Sequence, residues 1–203
     1  GERKSKPQLP FSTPTLLRTA GSHPSLGWGS KRIMQVANDL YQQGLITYLR
    51  TDSTRTSPEA RSSMANYISS EFGESYLRPD SEALQEKGSS TTQDAHEAIR
   101  PTDPSVREPA GLEKPQLTLY KLIWSRFAAS MMRDSVYSTV SVRGVIGEFE
   151  KILTSSSSWR TEAGWEYAYG DLRDTPKLSP PNANLETGSK IKVICNEDSP
   201  KLI

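Results

Sequence analysis

The stretch from Gly27 to Thr54, "GWGSKRIMQVANDLYQQGLITYLRTDST", contains the change of period that decides the fold. Ser30 opens it as a helix cap, and Ile33, Val36, Ala37, Leu40 and Tyr41 follow at the spacing of one helix face. Gly44 stops that helix, because glycine enters left-handed backbone at little steric cost. "LITY" then reads as a strand, and Tyr48 at its end is followed at every second position by Arg50 and Asp52.

On the N-terminal side, "FSTPTLLRTA" supplies Thr13 as N-cap, Pro14 at the first helical position and Leu16, Leu17 and Ala20 on one face. Helix, turn, helix, strand is the order of a winged-helix (CAP-like) module. On the C-terminal side, Ser57 and Pro58 open a third helix, with Ala60, Met64, Tyr67, Ile68 and Phe72 on one side before Gly73. Residues 78 to 94 are polar and aperiodic, which predicts a partly disordered loop. "PQLTLYKLIWSRFAASMM" restores helical spacing through Leu117, Tyr120, Trp124, Phe127 and Met131.

From Arg133 the period becomes two. "VYSTVSVRGVIGEFEKIL" alternates valines with polar residues, and "GSKIKVIC" does so again after a proline-rich loop, "DLRDTPKLSPPNANLETG". The expected class is α+β: a lead-in over residues 1–10, a helical winged-helix-like domain over 11–132 and a β-rich portion over 133–203. The chain starts and stops abruptly, as a piece cut from something longer.

The 203 residues suffice to bury a core without cross-links. A net charge of +1 excludes an arm that holds nucleic acid by bulk charge alone. The charge is unevenly spread, however. Residues 1 to 55 hold eight basic side chains against three acidic ones, so a local +5 faces −4 in the remainder. One cysteine, Cys195, permits no internal disulfide, and with two histidines it cannot close a zinc site. No metal site is expected within this sequence. The apolar runs are too short to span a membrane and the start lacks the apolar core of a signal peptide, which predicts a soluble intracellular chain.

If "TYLRTD" is extended, Tyr48, Arg50 and Asp52 share one face while Leu49 and Thr51 point the other way. A phenol ionises near pH ~10, so as a nucleophile at neutral pH it needs a cation or a base beside it. Arg50 offers that charge, and its planar guanidinium grips phosphate oxygens two at a time. Asp52 can hold the arginine's rotamer. Spacing alone favours the plainer reading, a core tyrosine at a strand end beside an Arg50–Asp52 surface ion pair.

"GLITYLRTDST" resembles the active-site segment of the type IA DNA topoisomerases, above all the bacterial topoisomerase I branch, with Leu49 where that branch usually has methionine. "AHEAIRPTD", residues 95 to 103, is similar to a second family segment. "PFSTPTLL", "LGWGSKRIMQVANDLYQQG" and "LYKLIWSRFAASMM" also resemble the family, in the family's order and over most of the chain.

The resemblance implies ATP-independent breakage and resealing of one DNA strand through a 5′-phosphotyrosine, which relaxes negative supercoils. Tyr48 would be the nucleophile, Arg50 the phosphate clamp and His96 a second contact to the phosphate, though a satisfied loop or core histidine is the other reading of His96. Arg18, Lys31, Arg32, Thr51, Asp52, Ser53, Arg55 and Arg100 are candidate DNA contacts. Glu97 and Arg100 also read as an internal ion pair bracing their loop. The family's Toprim domain, with its acidic residues and Mg2+, would lie outside this sequence, so the isolated piece is expected to be inactive and monomeric. Residues 1–10 and 133–203 would belong to the β-rich gate or hinge domain. The expected partners are single-stranded DNA and the remaining domains of the parent chain, in the cytoplasm of a bacterium at the nucleoid. A non-catalytic winged-helix DNA-binding module and a structural fragment that pairs its strands with another chain are the alternatives.

Overall fold

The computed structural model describes residues 1–79, 96–146 and 151–170. Its helices are α1 (Thr13–Gly21), α2 (Ser30–Gln42), α3 (Pro58–Glu71) and α4 (Lys114–Ser130). Its strands are β1 (Glu2–Ser5), β2 (Ser135–Ile146) and β3 (Lys151–Glu162), joined antiparallel in the order β1-β2-β3. Short 3-10 turns cover Glu74–Tyr76 and Gly164–Tyr169.

Helix α4 is the axle. From Leu119 to Ser130 it is buried around almost its whole circumference, including Leu122, Ile123, Trp124 and Phe127. A helix buried on every side needs no polar face, which is why one-sided spacing in the sequence understates it. The amphipathic helices supply Leu16 and Ala20 from α1, Ile33, Ala37 and Leu40 from α2, and Ala60, Met64 and Ile68 from α3 to the same core. Each buried Leu, Ile or Phe contributes about 1.5–3 kcal/mol by leaving water.

The helix ends differ from expectation in instructive ways. Ser12, not Thr13, is the N-cap of α1; its N–H donates to Thr15 Oγ1 at 2.9 Å. Thr13 is unavailable because its hydroxyl donates to the Leu49 carbonyl at 2.7 Å. Gly29 rather than Ser30 caps α2. Gly44, at φ 71°, closes α2 as expected, donating to the Tyr41 carbonyl while Leu45 donates to that of Leu40. This crossed pair of bonds satisfies carbonyls that the helix end leaves open. Ser57 caps α3, accepting from Ala60 N–H at 3.2 Å.

"LITY" is not a strand: only Ile46 forms a bridge, with Pro101. The neighbouring chain is the short 96–102 segment, whose proline cannot donate to extend a ladder. Tyr41 leaves the core face on which its spacing placed it and is 36% exposed.

Among the strands, β1 pairs with β2 from Glu2↔Ser138 to Ser5↔Ser135. β3 continues through the polar run "TSSSSWRTE", which carries little strand signal of its own and is held by register with β2. The sheet meets the helices through Gly164–Tyr169. Trp165 Nε1 donates to the Ser5 carbonyl at 2.8 Å and Ser125 Oγ to that of Ala168 at 2.8 Å. Gly164 is required there: a Cβ would stand 2.3 Å from the Asp134 carbonyl oxygen, and its φ is +48°. Arg126 Nε reaches the Leu9 carbonyl at 2.6 Å, fixing the connection from β1 to α1.

Most of the expected 78–94 loop, the proline-rich loop, "GSKIKVIC" and Cys195 lie outside the described residues. Among the described residues no helix is long and apolar enough to cross a membrane.

Candidate active site

The site grows from three pieces of extended backbone stitched to one another. Thr47 N–H donates to the Arg100 carbonyl at 2.9 Å, and Thr102 N–H to that of Leu45 at 3.0 Å. The Thr47 hydroxyl donates to the Ala98 carbonyl at 2.7 Å and accepts from Arg100 N–H at 3.0 Å. One side chain therefore bolts "LITYLRTD" to "HEAIRPTD". From the other side, Thr13 Oγ1 accepts from Thr51 N–H at 2.9 Å, and Thr13 N–H donates to the Thr51 carbonyl at 2.8 Å. Ala98 N–H donates to Arg55 and Ile99 N–H to Phe11, both at 2.7 Å. The strip lacks a regular ladder, but its backbone is fixed from three directions.

That frame imposes alternation. Leu49, Thr51 and Ser53 are 4%, 7% and 8% exposed, whereas Tyr48, Arg50 and Asp52 face solvent. Thr51 and Ser53, expected as DNA contacts, are thus turned inward. Their oxygens accept from Ser53 N–H at 3.0 Å and Arg55 N–H at 3.2 Å, winding the chain toward α3. Among the described residues, Arg50 and Asp52 form no ion pair with each other, so neither is neutralised by its neighbour.

The ring of Tyr48, 37% exposed, lies between two others. His96 is tilted against it with centroids 5.1 Å apart, and Tyr41 meets it edge to face at 5.5 Å and 65°. His96 is exposed, so the structure gives it a place beside the phenol rather than in the core. Arg100, in contrast, donates from Nε to Glu97 Oε2 at 2.8 Å and from Nη1 to the Pro101 carbonyl at 3.0 Å. With its side chain only 12% exposed, it braces the loop and offers little to an outside ligand.

The remaining basic candidates stand apart. Lys31 and Arg32 begin α2, about 15 Å along the helix from Tyr41 at 1.5 Å per residue. Arg32 stacks over Trp28, 4.4 Å from the ring centroid. Arg18 is exposed in the last turn of α1, and Arg55 is exposed beyond the strip. Thr13, Tyr41 and Thr47 are the site residues that sequence reading missed. Thr47 sits inside a quoted motif, but its bonds run to residues more than fifty positions away.

A magnesium ion does not fit the described residues, which hold no group of three or more His, Cys, Asp or Glu able to bind one. What the arrangement offers is an exposed phenol, a guanidinium two residues on and an imidazole against the ring. These are groups suited to an anionic ester.

A family model described as DNA topoisomerase matches residues 1–199. The chain belongs to that family, in its bacterial type IA branch. It is 36% identical over 195 residues to DNA topoisomerase 1 of Vibrio cholerae, covering 94% of this chain and 21% of that protein. To DNA topoisomerase 1 of Escherichia coli it is 41% identical over 147 residues, covering 71% of this chain and 16% of that one. Full-length topoisomerase I from Thermotoga maritima superimposes with a TM-score of 0.66 at 34% identity, over 87% of this chain and 29% of that structure. The chain thus spans about a fifth of the length of the curated relatives it matches.

Proposed function

We propose that this chain is the part of a longer type IA topoisomerase that carries the nucleophile. The observation that supports it most is the exposed Tyr48 ring, held beside His96 on the same face as an Arg50 that forms no ion pair among the described residues, in a chain of this family. The Tyr48 oxygen attacks the phosphorus of a single-stranded segment and forms the phosphotyrosine on the 5′ side. The bond from phosphorus to the 3′ oxygen breaks, and that oxygen leaves as a hydroxyl once protonated. Reversal by the same hydroxyl reseals the strand, so no ATP is consumed, and passage of a strand in between relaxes negative supercoils.

Arg50 grips the phosphate and offsets the charge that grows in the transition state. His96 is a second contact to the phosphate, and Asp52, Arg18, Lys31, Arg32 and Arg55 line the approach of the DNA backbone. Helices α1 to α3 with the Tyr48 strip act as a winged-helix-like unit, and the sheet belongs to the gate. The leaving-group acid and the Mg2+ site reside in a Toprim domain outside this sequence, so the isolated chain is inactive. The whole enzyme works on the bacterial chromosome in the cytoplasm.

The test is Tyr48→Phe in the full-length enzyme. Removal of one oxygen should leave folding and DNA binding near those of the parent while covalent adducts and relaxation vanish. Relaxation by the phenylalanine variant would take Tyr48 out of the mechanism. Trapping an adduct on the parent separates this reading from a non-catalytic DNA-binding module.

A further inference from the structure

Tyr48 has a mobility problem that its strip does not solve. The backbone from Leu45 to Ser53 is held by threonines, but no hydrogen bond among the described residues reaches the Tyr48 hydroxyl. A partly exposed phenol on such a backbone samples several rotamers, whereas in-line attack on phosphorus needs one. Its orientation must therefore come from contacts to the ring.

Two rings supply them, and they differ in standing. His96 follows directly on residues outside the described part and is itself exposed. Tyr41 sits on the last full turn of α2, at a helix end anchored by hydrogen bonds. Gly44 N–H bonds its carbonyl at 2.8 Å, Leu45 N–H bonds that of Leu40 at 3.0 Å, and Thr102 Oγ1 bonds that of Gly44 at 2.6 Å. The Tyr41 ring thus stands on a fixed base, edge to face with Tyr48.

Among the described residues, packing gives no other reason for an aromatic side chain at Tyr41. The inward face of α2 is filled by Ile33, Ala37 and Leu40, all fully buried, and Tyr41 stands outside it at 36% exposure. Its hydroxyl has no partner among the described residues, so the ring alone makes the contact.

We propose that Tyr41 is a positioning residue that holds the Tyr48 ring, through edge-to-face contact, in the rotamer from which it attacks the phosphate. The inference rests on Tyr48 being the nucleophile, and it assigns to Tyr41 a part in the chemical step rather than in holding DNA.

The experiment compares Tyr41→Phe, Tyr41→Leu and Tyr41→Met in the full-length enzyme, by single-turnover cleavage of a labelled single-stranded oligonucleotide. The two non-aromatic variants should lose about 10-fold in cleavage rate at saturating DNA, the scale of a modest misplacement of a reacting group. Oligonucleotide affinity and melting temperature should stay close to the parent's, and Tyr41→Phe should cleave at the parent's rate. Three results would overturn the proposal: parental rates in both non-aromatic variants, a fall in Tyr41→Phe equal to theirs, or a loss confined to affinity, which would make Tyr41 a stacking surface for a base. Tyr48→Phe in the same assay keeps the two claims apart, because an adduct there removes the nucleophile reading whatever Tyr41 does.

Discussion

Two arginines, Arg50 and Arg160, show how differently this chain uses the same side chain. Arg50 is exposed on the Tyr48 strip and makes no ion pair among the described residues. Arg160, on β3, is 6% exposed and donates from Nη1 to Glu166 Oε2 at 3.2 Å. Glu166 in turn accepts from the Tyr137 hydroxyl, so strands β2 and β3 and the Gly164–Tyr169 turn meet at one carboxylate. A guanidinium enclosed in protein needs its partner inside the fold, and its Nε has none among the described residues. An exposed guanidinium stays hydrated and available to an outside anion. The comparison separates an architectural charge from one left open for a ligand.

The sharpest way to break that contrast is to remove the architectural partner. Glu166→Ala strands the Arg160 charge and the Tyr137 hydroxyl together, and loss of one member of a buried pair costs about 3–5 kcal/mol. Urea unfolding of the chain should show a fall of that size. A loss below about 1 kcal/mol would mean that water reaches Arg160 and that the two arginines are not of different kinds.

The converse substitution acts on rate instead of stability. Arg50→Lys keeps a charge but loses the planar fork, and the full-length enzyme should cleave about 10-fold to 1,000-fold more slowly while binding DNA nearly as well. Its urea midpoint should match the parent's, since among the described residues no hydrogen bond or ion pair leans on the Arg50 side chain. Cleavage at the parent's rate would make Arg50 a bystander, and a lowered midpoint would make it architectural after all.

How much of this was legible in the sequence follows from where each residue's partners lie. Helices α2 and α3 were readable because one face is buried and one is wet, and the stops at Gly44 and Gly73 are local. That Tyr48, Arg50 and Asp52 share one face was readable because a period of two is a local rule that survives without a ladder, but that this face meets solvent was not, since a core tyrosine fits the same spacing. The pairing of Arg100 with Glu97 was readable too, since the partners are three residues apart. Thr13 and Thr47 were not, because a threonine's hydroxyl reveals nothing until distant carbonyls arrive, from Leu49 in one case and Ala98 in the other. Strand β3 hid in its serines, and Arg160 in a charge that looks solvent-facing until Glu166 folds over it.

The smallest expected effect is a pH dependence confined to the architectural region. Burial first, and then the hydrogen bond to Glu166, raises the Tyr137 phenol to about 12. In the unfolded chain the same phenol ionises near ~10. Below that pH both states hold the proton and the contribution is fully present. Between the two values the unfolded chain has released its proton while the fold retains it, so stability falls as pH rises through the window and levels off above it. Tyr120, also raised by burial, adds to the same alkaline slope, so the loss should shrink rather than disappear when Tyr137 alone is replaced. Urea midpoints taken at intervals from pH 9 to about 12 should therefore fall less steeply for Tyr137→Phe than for the parent. Parallel curves would show that Tyr137 ionises alike in both states, and the hydroxyl held by Glu166 would then be no more sheltered than one on the exposed strip.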